Sequence, residues 1–357
     1  MLRVHILTEG FVSPNGRAFL FPLIVHRRAL TDVGIRWRMF HTVEDALYDC
    51  DVLIVESKYH QFGWIADTGG ILAKFASFKE RIDRVLYFDV DDSTGLIHPE
   101  VLPFVDAYCK AQLLKDRRLY LRPMYGNRIF ADYYHRKYGV TDSAPVYSQP
   151  VADPALLDKL CLSWNSGLAD YSLFGPSRTA MYQRVPFHPL LCFPRRFVAP
   201  SVARENDLSC RMRIQYSRAS VAHQRRLITQ RLAYRSPTGK VSRGRYFREL
   251  AQSKIVVSPF GFGEITLKDF EVFLTGGLLL KPDMSRLETW PDLFRAGHTI
   301  VVHDWDLENL EEVIDTVLEN YSEYKEIAEA GQETYRRYID DKMGTEAFVC
   351  RFAEIAA

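Results

Sequence analysis

The chain is predicted to form two α/β domains, each built on a parallel sheet, and three observations carry that prediction. Short aliphatic and β-branched runs alternate with helix-length segments in both halves, the pattern of doubly wound sheets. At 357 residues the chain is longer than one core ordinarily serves. Between the halves, residues 145–200 hold eight of the seventeen prolines and few periodic runs, which marks the passage from one domain to the next.

In the first half, residues 4–8 (VHILT) read as a buried strand that turns at Glu9 and Gly10. A polar stretch, 13–17, leads to a helix over 18–32, which Gly34 stops before a strand at 35–40. Residues 51–56 (DVLIVE) and 84–88 (RVLYF) are two further buried strands, ending at Ser57–His60 and at the acidic run Asp89, Val90, Asp91, Asp92. Residues 103–120 are predicted helical, with Lys110, Lys115, Arg117 and Arg118 in their second half. No G-x-G-x-x-G occurs, so the dinucleotide fingerprint is absent. In such sheets ligands bind outside the carboxyl ends of the strands, where Glu9, His60, Asp89 and Asp91 all fall.

In the second half, residues 212–217 (MRIQYS) are expected as the first strand of the second sheet, followed by a helix to about residue 232 and another over 244–252. Residues 254–258 form a strand, and the loop PFGFG (259–263) leads to a helix over 264–275 closed by Gly276 and Gly277. At about 100° per residue, Glu264, Lys268, Glu271 and Thr275 fall on one narrow stripe of that helix, and apolar side chains cover most of the rest. Strands follow at 278–280 and 299–302. Asp306 is expected to cap a helix with an apolar stripe from Leu307 to Tyr321, and a last helix runs to residue 357.

Composition narrows the function. A chain 47% hydrophobic and 25% charged is an ordinary folded protein, and a net charge of +1 argues against a general nucleic-acid binder. The charge is uneven, however: residues 195–248 carry fourteen Lys or Arg against two acids, a band that also fits docking on an anionic membrane surface. Six scattered cysteines without a C-x-x-C pair, and no leader pattern at Met1, place the chain in the cytoplasm, with such docking at the inner membrane face. No metal cluster is expected.

Residues 253–259, 261–264, 268–271, 276–277 and 291–297, with the helix after Asp306, resemble the C-terminal domain of group-1-like glycosyltransferases of the GT-B fold, in the branch of spore-maturation and capsule or O-antigen enzymes. That resemblance implies two Rossmann-like domains facing across a cleft: acceptor side over 1–180, nucleotide-sugar side over 181–335, and a helix over 336–357 crossing back. It implies sugar transfer from a UDP- or GDP-sugar, with no further cofactor, to a saccharide or lipid-linked acceptor in bacterial surface polysaccharide or glycoconjugate assembly. Glu271 is then expected on the donor ribose and Glu264 near the donor sugar, with the diphosphate near Gly261, Gly263, Lys268 and Arg225. The glutamates stand seven apart here, against eight in retaining members, and stereochemistry stays open. An inverting enzyme needs a base in the acceptor domain, for which Glu9, Asp91 and His60 are the candidates. Two alternatives stand beside this one. The run DVDDS also resembles the first motif of aspartate-dependent phosphotransferases, with Asp89 or Asp91 at the centre, and the fold also suits a nucleotide-sugar-binding protein without turnover.

Overall fold

The computed structural model describes residues 1–357 except Phe62 and Asp341. In the first half, β1 (Leu2–Leu7), β2 (Ile35–Phe40), β3 (Val52–Glu56), β4 (Arg84–Asp89), β5 (Ala107–Lys110) and β7 (Leu160–Leu162) make one sheet, while β6 (Gln112–Leu114) stands apart from it. The sheet runs β2-β1-β3-β4-β5-β7 and every pairing is parallel. β3 is buried at every position and β4 at all but its first, as a parallel sheet covered on both faces requires. Around it lie α1 (Pro14–Val25), α2 (Arg27–Asp32), α3 (Gly63–Ala66), α4 (Thr68–Arg81) and α6 (Gly175–Arg184), whereas α5 (Ile129–Tyr138) packs against the second half, Phe130 on Phe260 at 5.1 Å and the Tyr134 hydroxyl on the Trp305 carbonyl.

The second half has a four-stranded parallel sheet made of β8 (Asn206–Ser209), β9 (Ser253–Val257), β10 (Leu278–Pro282) and β12 (Val301–His303), in the order β12-β10-β9-β8. Its helices are α7 (Ala219–Leu232), α8 (Arg243–Gln252), α9 (Leu267–Thr275), α10 (Leu310–Glu319), α11 (Tyr321–Ile339) and α12 (Met343–Ala356). One further strand, β11 (Leu287–Thr289), leaves this half and pairs antiparallel with β6, Thr289 opposite Gln112 and Leu287 opposite Leu114. α12 also returns to the first sheet. Phe348 packs edge-on to Trp164 at 5.1 Å, and Arg351 donates to the Leu162 carbonyl. Trp164 itself is a core residue, stacked on Phe19 with its indole N–H on the Phe19 carbonyl. The two parallel sheets are those the sequence predicts. The first ends at Leu162 and the second begins at Asn206, so the expected boundary at residue 180 falls inside α6.

Several expected elements differ. Residues 103–120 are not one helix but short helical turns flanking β5 and β6. β5 is buried along Tyr108, Cys109 and Lys110, and the lysine is tolerated inside because Asp89 lies opposite it on β4. Residues 212–217 are an irregular loop, and the first strand of the second sheet is the polar NDLS segment of β8, an edge strand. The helix over 18–32 is two helices meeting at His26. Asp306 does not cap α10, which starts at Leu310; it pairs with Lys137 at 2.8 Å. Finally, the glycine-loop helix begins at Leu267, because Asp269 accepts from the Thr266 N–H at 2.8 Å and so fixes the first turn there. Glu264 therefore sits in the turn before α9 and shares no helical stripe with Lys268 and Glu271.

Candidate active site

The two stretches that stand out in the sequence, the acidic run and the glycine loop, meet in space. Glu264 is fully buried. One of its oxygens accepts from the Thr94 N–H at 3.0 Å, the Thr94 hydroxyl at 2.8 Å and the Gln112 amide at 3.4 Å. Its other oxygen has no hydrogen-bond partner among the described residues. Burial raises the proton affinity of this carboxyl, and the two Thr94 bonds partly offset that. Gln112 also donates to the Asp92 carbonyl, and a Cβ on Gly263 would lie 2.0 Å from that same oxygen. The loop needs glycine at 263 because the backbone of the other half presses against it.

Beside this junction a small pocket is lined by Asn15, Asp91, Asp92, Gln112, Asn165 and Ile265 among others, residues from both halves. Two carboxylates of the acidic run, Asp89 and Asp91, are already paired with lysines, and Asp92 accepts from the Asn15 amide at 2.9 Å. Asp89 has a fully buried side chain and accepts from Lys110 and from the Tyr108 hydroxyl, both at 2.7 Å. Asp91 pairs with Lys58 and faces His98 at 3.9 Å. Burial would raise the Asp91 proton affinity, but His98, Lys58 and Lys110 outweigh it and hold the carboxyl well below the usual range. Asp89 is thus walled in and already bonded, which counts against it as the nucleophile of the aspartate-centred alternative, since a nucleophile must be free to reach its substrate; Asp91, the other centre of that alternative, lines the pocket but is paired with Lys58.

The other expected base candidates lie at strand ends of the first sheet. Glu9 follows β1, and its Oε2 has no partner among the described residues. His60 follows β3 and is buried against Tyr59, Phe75 and Trp64. Burial, with Lys74 adding to it, lowers its pKa to about 4, and His303 on β12 is lowered likewise to about 4. An unfolded histidine titrates near pH 6.5, so between pH 6.5 and 4 the unfolded chain binds protons that the folded one refuses. These two histidines therefore contribute a loss of stability as the pH drops through that window, opposed by buried Glu56, whose pKa burial raises to about 7. We expect His60→Phe to lessen this loss by up to roughly 3 kcal/mol, read from urea midpoints at pH 7 and pH 4.

On the second half, Lys268 and Glu271 stand behind the wall of a larger pocket of about 780 Å³, each bonded to a residue that lines it. The wall itself is made of residues 211–215, 238–241, Arg243 and Tyr246. Lys268 donates to the Arg211 carbonyl and, at 3.2 Å, to that of Val257. Burial, and secondarily the charge of Arg225, lowers its pKa to about 8. Glu271 is buried and receives Arg243 at 3.0 Å; burial raises its proton affinity against that pair. Arg225 is committed elsewhere. Its guanidinium donates to the carbonyls of Phe260 at 2.6 Å, Arg213 at 3.1 Å and Pro259 at 3.4 Å, so it shapes the glycine loop, whereas an arginine free to reach a diphosphate was expected. A Cβ on Gly261 would meet nothing closer than 3.5 Å, unlike Gly263.

Arg211, Arg213 and Arg243 are the residues that reading the sequence missed. Arg213 lies in a segment expected as a strand and Arg211 just before it, and Arg243 gains its meaning only by meeting Glu271. Residues 208–340 match the family model described as glycosyl transferase-like. This stretch is a glycosyl transferase-like domain. Glu271, Lys268, the glycine loop and the whole of α9 lie within it. No curated protein matches the chain. Among solved structures, a glycosyltransferase from Rickettsia africae shares 8% identity at a TM-score of 0.48, over 99% of this chain and 97% of that one. Sucrose-phosphate synthase from Thermosynechococcus elongatus shares 9% at 0.46, over 99% and 98%. HepE of Anabaena, solved with UDP-glucose, shares 11% at 0.43, over 99% of both chains. Overlap at this level defines neither a ligand nor a reaction.

Proposed function

We propose that the chain transfers a sugar from a nucleotide-diphosphate sugar, a UDP- or GDP-sugar, to a hydroxyl acceptor in the assembly of a bacterial surface polysaccharide or glycoconjugate. The observation that carries this is the transferase-like domain's own pocket, whose wall of arginines is backed by a buried glutamate on Arg243 and a buried lysine on the Arg211 carbonyl. Glu271 accepts the two ribose hydroxyls, taking over bonds it now receives from Arg243. Lys268, Arg211, Arg213 and Arg243 face the diphosphate and stabilise the charge that develops as it leaves, which makes the reaction independent of a metal ion. The acceptor enters the small pocket between the halves, near Asn15, Asp91, Gln112 and Asn165. For an inverting reaction the base would come from Asp91, Glu9 or His60; Asp91 is the least suited, since Lys58 and His98 hold its proton affinity low.

Calorimetric titration with uridine and UDP, or guanosine and GDP, tests the donor site. Glu271→Gln weakens charge-assisted bonds worth about 1.5–3 kcal/mol, so affinity for nucleoside and nucleoside diphosphate should fall about ten-fold or more. Lys268→Ala should weaken only the diphosphate. Because the Lys268 charge is lost above pH 8 or so, diphosphate affinity should also decline as the pH rises through that value, and this decline should vanish in the variant. Unchanged affinities in both variants would remove the donor from this pocket.

A further inference from the structure

The basic band over 195–248 does not form one cationic face. Arg204 and Arg225 are buried on carbonyls, and Arg211 and Arg243 are paired with Glu249 and Glu271. A different surface has the composition that the band lacks. Residues 171–203 contain four arginines and one histidine and not a single acid. Within them, Phe174 is 67% exposed, Met181 57%, Val185 59% and Phe187 60%.

The helix α6 explains the arrangement. Gly175, Thr179 and Tyr182 face the protein, Tyr182 against Phe11 with ring centroids 5.2 Å apart. At about 100° per residue, Phe174, Met181 and Val185 fall within one narrow stripe roughly 100° around the helix from that face, in open solvent. Residues 183–189 are exposed without interruption, Arg184 and Phe187 included, and Arg195 and Arg196 follow on the same strap. Arg178 is spent on Asp170, and Asp340 lies in the pocket that Arg195 and Arg196 line, but Arg184 is exposed beside the stripe. A helix whose apolar stripe points outward, with exposed arginine beside it and no acid in its own segment, suits a surface that is apolar within and negative at its face. Among the described residues no helix is long and apolar enough to cross a membrane.

We infer that α6 and the strap after it, residues 174–196, lie in the interface of an anionic bilayer, with Phe174, Met181, Val185 and Phe187 among the acyl chains and Arg184, Arg195 and Arg196 at the lipid headgroups. The placement is informative. Arg243, which pairs with Glu271, donates to the carbonyls of Leu173 at 2.8 Å and Ser172 at 3.0 Å, immediately before α6. At the other end, Gln183 accepts from Arg17 of α1 at 3.3 Å. The helix thus spans the mouth between donor pocket and acceptor side, so docking presents the cleft to the membrane. Between the two acceptor classes this selects a lipid-linked one, a consequence that rests on the transfer reading, whereas the docking itself does not.

The test is co-sedimentation of the full chain with vesicles of phosphatidylcholine containing phosphatidylglycerol, against vesicles of phosphatidylcholine alone. The expected result is at least about ten-fold tighter binding to the anionic vesicles, lost in high salt. Phe174→Ser/Met181→Ser/Phe187→Ser and, separately, Arg184→Glu/Arg196→Glu should each weaken it about ten-fold or more while leaving the urea midpoint unchanged, since all five side chains are exposed. Protein that stays in the supernatant at every lipid concentration, or variants that bind as the parent does, would overturn the proposal. So would a lipid-free dimer in sedimentation equilibrium that the serine variant abolishes, since the stripe would then be covered by a second copy of the chain.

Discussion

Lys110→Met should lower the unfolding free energy by about 3–5 kcal/mol, because it strands a carboxylate in the core. The Lys110 and Asp89 side chains are both fully buried on neighbouring strands, 2.7 Å apart. Methionine fills the space of the lysine stem but supplies no charge, leaving Asp89 with the Tyr108 hydroxyl and the Asp91 N–H as its remaining donors. Asp89→Asn should also destabilise, so a loss of activity in that variant would report folding and not chemistry. The double variant Asp89→Asn/Lys110→Met should lose clearly less than the two single losses combined, since no charge is then left unpaired. Urea unfolding of the four proteins measures this. Simple additivity would mean that the two groups are not coupled.

The second large effect is expected from a single methyl group. Gly263→Ala places its Cβ on the Asp92 carbonyl, with the Asp92 carbon at 2.6 Å, and neither is the far end of a flexible side chain. The loop must retreat from the acidic run, and the Glu264–Thr94 bonds retreat with it. The cost should be about 1–3 kcal/mol with a severe loss of transfer, because the small pocket between the halves is deformed. Gly261→Ala in the same loop has space for its methyl and should fold and bind like the parent protein. Equal behaviour of the two variants in thermal unfolding would contradict the close approach on which this rests.

What could be read from the sequence follows from how each element is stabilised. β3, β4, β9 and β10 are runs of apolar residues and announce themselves, because burial on both faces demands such runs. β5 hides because its buried lysine is matched by an aspartate 21 positions earlier, a pairing that no local window shows. β8 hides because NDLS has the composition of a turn and becomes a strand only by pairing at the edge of a sheet. Lys268 and Glu271 stand on α9 as the sequence expects, and their part in a donor site is the proposal made above. The arginine wall was not legible, since it assembles from segments some thirty positions apart. Glu264 was singled out as a residue near the donor sugar, and its bonds to Thr94 make it also a tie between the halves.

The ribbon of β6 and β11 has a thermodynamic consequence. Two lobes hung on one linker can melt one after the other, each with its own heat-absorption peak. Here the polypeptide passes between the lobes three times: through residues 163–205, through the β11 strand laid against β6, and through α12. The larger of two apolar cores runs from the first sheet through Trp164 to Phe273 and Tyr335 beside the second, while a separate core with Leu208, Ile255 and Ile314 lies on the second sheet's other face. Neither lobe can lose its structure without stripping surface from the other, so the protein should melt as one calorimetric unit, with equal calorimetric and van't Hoff enthalpies. Ligands then enter such a molecule by rearrangement at the mouth of the cleft, not by the swinging apart of two independent bodies.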